Sequence, residues 1–148
     1  MTIFTHNQIL KALSDFVASH GQLKTFGTGE VSEVAEMEAV KYPMMWTIIQ
    51  PGLFEQNTIG YIYDILFMDI VRSDIVNQDE IYSDCILYAA DLIAHLTNLS
   101  NTGDNFFFSV GQTAFEPFED SFKDAVAGVK ISITLRTAGY QDNSCKIP

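Results

Sequence analysis

Residues 60–100 constrain the fold more than any other stretch of the chain. They open with GYIYDILFMDIVRS and close with NQDEIYSDCILYAADLIAHLTNLS. The opening part reads as a long strand with apolar side chains on both faces. Ile62, Leu66, Met68 and Ile70 point one way; Tyr61, Tyr63, Ile65, Phe67 and Val71 point the other. Such a strand lies in the middle of a sheet or gives one face to a subunit interface. Asp64 and Asp69 leave by opposite faces and need either partners or solvent. The closing part reads as a helix, with Ile81, Cys85, Tyr88, Leu92, Leu96 and Leu99 as its buried stripe. Asn77 as cap with Glu80 as its box partner, and Val76 packed on Ile81, mark the start. Asp79, Glu80 and Asp84 suit the positive end of the helix dipole, and Asn101-Thr102-Gly103 stops the helix.

The remaining segments read as cover for this pair. Residues 5–20 predict a helix, with Ile9, Leu10, Leu13, Phe16 and Val17 at helical spacing. Thr5 and Gln8 make a capping box, Phe4 staples onto Ile9, and Gly21 ends the helix. Residues 22–42 read as a surface loop, with a short strand at 31–35 or a helical turn at 35–40 as alternatives inside it. Residues 44–50 predict a short strand, and Pro51-Gly52 signals a turn. That strand and the long one form an antiparallel hairpin with a long connection, of the kind that carries function. Residues 105–110 and 114–118 predict two aromatic strands, and 119–126 an acidic turn. Residues 129–137 alternate cleanly, with Val129, Ile131, Ile133 and Leu135 inward and Lys130, Ser132, Thr134 and Arg136 outward. Residues 138–148 read as a flexible tail. Strands clustered in runs predict an α+β fold: a mainly antiparallel sheet of about five strands with two principal helices packed on one face.

A chain of 148 residues with 47% hydrophobic content is long enough for one domain with its own core. A domain of this size buries roughly 70% of the surface its unfolded chain exposes. The net charge of −11 leaves eight basic residues, too few for a phosphate-binding stripe. No run approaches the ~18 apolar residues of a membrane helix, and the N-terminus lacks the pattern of a signal peptide. Cys85 and Cys145 have no metal-ligand spacing and read as reduced thiols, Cys85 as helix packing.

Candidate chemistry is sparse. Gly27-Thr28-Gly29 resembles the start of a dinucleotide loop, but Ser32 stands where a third glycine belongs and no clear strand precedes it. Asp91 and His95 are one helical turn apart, a spacing that orients a base or simply decorates a helix face. His6 and His20 fall at helix ends, and the histidines lack metal spacing. Asp64, Asp69, Asp74 and Asp79 are a conceivable carboxylate cluster for a divalent cation, weakened by the opposed faces of the first two. No serine stands in a nucleophile-elbow setting. No catalytic, cofactor or metal site is assigned.

The C-terminal two-thirds resembles small neck and tail-connector proteins of tailed bacteriophages, especially the tail-terminator or tail-completion kind. The residues that carry the resemblance are the long apolar strand ending in Arg72-Ser73-Asp74 and the helix after it. Then come Phe115-Glu116-Pro117-Phe118-Glu119-Asp120, Ala127-Gly128 opening an alternating strand, and the ending Asp142-Asn143-Ser144-Cys145-Lys146-Ile147-Pro148. The resemblance implies a virion protein made in the host cytoplasm that assembles into a hexameric or larger ring. It implies other neck or tail proteins as partners, and no catalysis. A ring needs two different sticky patches on each subunit. The expected subunit-interface residues are Leu53, Phe54, Tyr61, Tyr63, Tyr140 and Ile147. An acidic ring also suits a DNA channel, because like charge keeps DNA from adhering to its wall. The alternatives are a small acidic ligand-binding or enzymatic domain using Asp91 and His95 or the strand-end carboxylates, and an adaptor docking through a sheet edge.

Overall fold

The structure, a computed structural model, describes residues 5–30, 33, 41–55, 58–71, 77–102, 113–121 and 125–137. Its elements are α1 (His6–Ser19), β1 (Thr25–Thr28), β2 (Met44–Glu55), β3 (Thr58–Ile70), α2 (Gln78–Thr102), β4 (Phe115–Ser121) and β5 (Ala125–Thr137). The strands form one sheet in the order β1-β2-β3-β5-β4. Every neighbouring pair is antiparallel except β1 with β2. The fold is the expected α+β class, and the long apolar strand, β3, is its middle strand.

The helices form where the sequence places them. Thr5 Oγ1 accepts the Gln8 N–H at 3.2 Å, and Gln8 Oε1 accepts the Thr5 N–H at 2.8 Å, which completes the capping box. Ile9, Leu13, Phe16 and Val17 are buried, as the spacing requires. Phe4 and Val76, the two staple residues, lie outside the described residues. The end of α1 differs from expectation. His20 leaves the helix in an extended conformation (φ −75°, ψ 132°), with no left-handed glycine. Its imidazole Nδ1 accepts the N–H groups of Gln22 at 3.2 Å and Leu23 at 3.3 Å, so a side chain organises the exit where Gly21 was expected to. In α2, the Ile81 N–H donates to the Asn77 carbonyl at 3.0 Å. Ile81, Cys85, Tyr88, Leu92 and Leu96 are buried along one stripe.

Three expectations about the strands are corrected. Residues 25–28, read as loop, are the parallel edge strand β1. The segment TFGT has no apolar alternation; pairing with β2 from Thr25↔Met44 to Thr28↔Thr47 organises it. Gly27 is required there because the Trp46 ring occupies the space a Cβ would take. The Trp46 indole N–H donates to the Gly29 carbonyl at 3.1 Å. Second, Pro51-Gly52 is not the hairpin turn. β2 runs on to Glu55, and pairing resumes from Leu53↔Gly60 to Glu55↔Thr58 after a register shift between Gln50 and Leu53. Pro51 and Gly52 are therefore a bulge, where a missing N–H is tolerated, and the long connection does not exist. A Cβ on Gly52 would lie 2.6 Å from the Gly60 carbonyl oxygen, which fixes glycine at that place. Third, the acidic segment expected as a turn belongs to a hairpin: β4 continues to Ser121 and β5 starts at Ala125. The expected strand at 105–110 lies outside the described residues.

The sheet buries apolar residues on two faces. On the helix side, Met45, Tyr63, Ile65, Phe67, Val129, Ile131, Ile133 and Leu135 meet the inner faces of α1 and α2 in the main core. Each fully buried residue of this size contributes about 1.5–3 kcal/mol relative to exposure. On the far side, Met44, Trp46, Leu66, Met68 and Val126 form a second, smaller cluster, with Tyr42, Ile48 and Phe118 partly buried beside it. Between the two layers, β3 and β5 come so close that a Cβ on Gly128 would fall on the Phe67 carbonyl. We predict that Gly128→Ala costs about 3 kcal/mol, read as a lowered urea midpoint with an unchanged slope.

Candidate functional site: the hairpin tip and the far face of the sheet

The sequence candidates scatter when placed on the fold. Asp91 does not pair with His95. Its carboxylate meets His20 Nε2 at 2.9 Å, across a separation of 71 residues, while the His95 ring lies 5.2 Å from that of Phe16. The His20 ring also stands edge-on to Tyr88 at 5.5 Å. Two backbone donors occupy Nδ1, so Nε2 carries the proton it gives Asp91. No ring nitrogen is left over to take a proton from a substrate. The group ties the end of α1 to α2 and is a structural clamp. Asp64 and Asp69 leave opposite faces as expected, and Asp74 lies outside the described residues. The Ser132 hydroxyl donates to Asp64 Oδ1, its cross-strand neighbour. Asp69 Oδ1 accepts the Ile70 N–H at 2.8 Å. Among the described residues, no three His, Cys, Asp or Glu side chains gather as metal ligands.

Cys85 is buried and free. Burial, then the nearby Asp69 and Asp84 carboxylates, push its thiol from the ordinary 9.0 up to about 12, against a backbone hydrogen bond at Val129 that lowers it. A thiol held protonated in this way is neither nucleophile nor metal ligand. Burial and then Asp84, Cys85 and Asp69 likewise push the Tyr88 hydroxyl from 10.0 to about 12.

The expected interface residues divide into four groups. Tyr63 is a correction: it is 0% exposed and belongs to the main core, so it is not available to a neighbouring subunit. Its hydroxyl meets His6 Nδ1 at 2.9 Å and the two rings stack at 5.7 Å, which docks the start of α1 on the middle strand. Tyr61 is half-buried and stacks on Tyr63 at 6.4 Å. Leu53 and Phe54 stand at the outer end of β2, 50% and 80% exposed. Tyr140 and Ile147 lie outside the described residues.

The outer half of β2 is the apolar surface the sequence did not resolve fully. β1 covers β2 only as far as Thr47. Beyond it, Ile49, Leu53 and Phe54 make up three of the five large hydrophobics exposed among the described residues. The bulge sets their directions. Its extra residue puts Leu53 opposite Gly60, and Gly60 is in turn opposite Arg136, so all three share the far face. Arg136 Nε lies 3.7 Å from Glu55 Oε2, which leaves the tip with no net charge. The tip is therefore the neutral, apolar part of a chain of net charge −11.

On the same far face, between β2 and β4, lies a groove of about 410 Å³. Ile48, Leu66 and Phe118 supply apolar lining, and Asp64, Glu116, Glu119 and Lys130 supply charge. Lys130 Nζ lies 3.6 Å from Glu116 Oε2. That cross-strand pair also lines a second depression of about 440 Å³, toward Thr113, Phe115 and Ser132. No described helix is long and apolar enough to cross a membrane.

Two outcomes follow from the buried groups. Because the Cys85 and Tyr88 protons are held more tightly in the folded chain than in the unfolded one, their contribution is complete below about pH 9. It is lost as pH rises toward about 12. The urea midpoint is expected to fall across that interval and to fall less steeply in Cys85→Val. His20→Ala loses two backbone partners as well as Asp91, so calorimetry should show a loss of about 1–2 kcal/mol, larger than that of Asp91→Ala. The chain matches no protein-family model and no curated protein.

Proposed function

We propose that the chain is a structural virion subunit of a tailed phage, a tail-terminator-like or neck ring protein that joins a tail to the head connector. It works by assembly with copies of itself and with neighbouring neck or tail proteins, not by catalysis. The observation that carries this reading is the hairpin tip. Exposed apolar side chains concentrate on the outer half of β2, at a neutral spot on a strongly acidic chain. Like-charged subunits approach one another most readily through a patch that itself carries no net charge. The acidic remainder suits a wall past which DNA must slide without adhering. The resemblance of the C-terminal two-thirds to tail-completion proteins supplies the biological setting. The alternative of a small enzyme has less support, because both ring nitrogens of the His20–Asp91 clamp are engaged and the strand carboxylates are not gathered.

Antibody labelling of intact particles by electron microscopy tests the setting directly; label at the junction of head and tail is expected. Replacing Leu53 and Phe54 by serine should leave stability within about 0.5 kcal/mol, because both side chains are exposed. The same change should leave heads and tails unjoined. A full yield of joined particles from that variant, with no label at the junction, would overturn the reading.

A further inference from the structure

We infer that the hairpin tip of one copy seats in the far-face groove of the next, so that copies join head to tail through two different surfaces. The inference rests on the assembly reading only in taking a second copy as the occupant.

The groove and the tip match in polarity. The groove has an apolar lining, Ile48, Leu66 and Phe118, in reach of an inserted aliphatic or aromatic side chain. Its charged margin holds three carboxylates against one ammonium. Lys130 already faces Glu116, and Glu119 has no ion pair among the described residues. The tip brings Leu53 to insert and, across Gly60 in register, Arg136 to exchange Glu55 for an unpaired carboxylate; Phe54, the next residue along β2, leaves by the opposite face and stays at the margin of the contact. Within one chain Arg136 is held only loosely, at 3.7 Å from Glu55. In the docked pair it reaches Glu119 of the next copy.

The occupant cannot be the chain's own tip. Ile48 and Leu53 lie on one strand, five residues or roughly 17 Å apart along it. β2 is paired to β3 from end to end apart from the bulge, so the tip cannot fold back over the groove. Continuation of the sheet from copy to copy is also disfavoured. The open edge of β2 carries Pro51 and the bulge, and edge strand β4 carries Pro117, both of which blunt strand addition. A side-chain knob in a side-chain groove remains. Because knob and groove are different surfaces, each copy offers one of each, and the contact repeats until a ring closes.

The test is sedimentation velocity on the full chain, with circular dichroism to confirm folding. Wild type is expected to self-associate, and the knob variant Leu53→Ser/Phe54→Ser and the groove variant Glu116→Gln/Glu119→Lys to be monomeric. Their equimolar mixture should yield a dimer and nothing larger, since each supplies one intact surface. Should the groove variant fail to fold, Arg136→Glu alone should weaken self-association about tenfold and recover on mixing with Glu119→Lys. If wild type assembles but the mixtures stay monomeric, the copies meet through other surfaces and the inference falls, with the virion assignment untouched. Wild type that stays monomeric up to millimolar concentration also overturns it; a groove filled by a different neck or tail protein is then the alternative, and particle labelling judges the assignment separately.

Discussion

β3 gives up its backbone on both edges. It pairs with β2 on one side and with β5 on the other, the latter without interruption from Ile59 to Ile70. A strand so enclosed has no solvent to satisfy its amides, so its neighbours must match it residue for residue. That demand accounts for much of the rest. It fixes Gly128, where β5 comes too near for a side chain. It fixes the alternation of β5, whose inward residues must fill the layer under the helices. It also makes Tyr63 a core residue whose hydroxyl needs a partner, which His6 provides from the first turn of α1.

The acidity of the chain is handled locally. Glu116 with Lys130, Glu55 with Arg136 and Lys11 with Asp15 are solvent-facing pairs worth little each to stability. What they do is set where net charge falls on the surface. Residues 48–55 and 133–137 sum to zero, while α2 presents Asp79, Glu80, Asp84 and Asp91 outward. A surface so partitioned directs encounter before any contact forms.

Much of this was legible in the sequence because periodicity and capping are local. The capping box of α1, the stripe of α2, both faces of β3 and the alternation of β5 each need only a few neighbouring residues to specify them. What was not legible depends on partners far along the chain. Thr25–Thr28 is a strand only because β2 lies beside it. Asp91 chose His20 over the closer His95 because the end of α1 arrives there, and no spacing within α2 could reveal that. Pro51-Gly52 carries the ordinary signature of a turn; only the pairing on either side converts it into a bulge. At the candidate surface, Leu53 and Phe54 were named from sequence. The groove was not, because its walls come from β2, β3, β4 and β5 together.

The single tryptophan of the chain sits where it can report on one part of the molecule alone. Trp46 lies on the far face, its indole over Gly27 and its N–H on the Gly29 carbonyl, away from both helices. Emission from that ring follows the seating of β1, whereas ellipticity follows α1 and α2. The two optical signals therefore watch opposite sides of one sheet, and a lag between them during unfolding separates the loosening of an edge from the collapse of the helical layer.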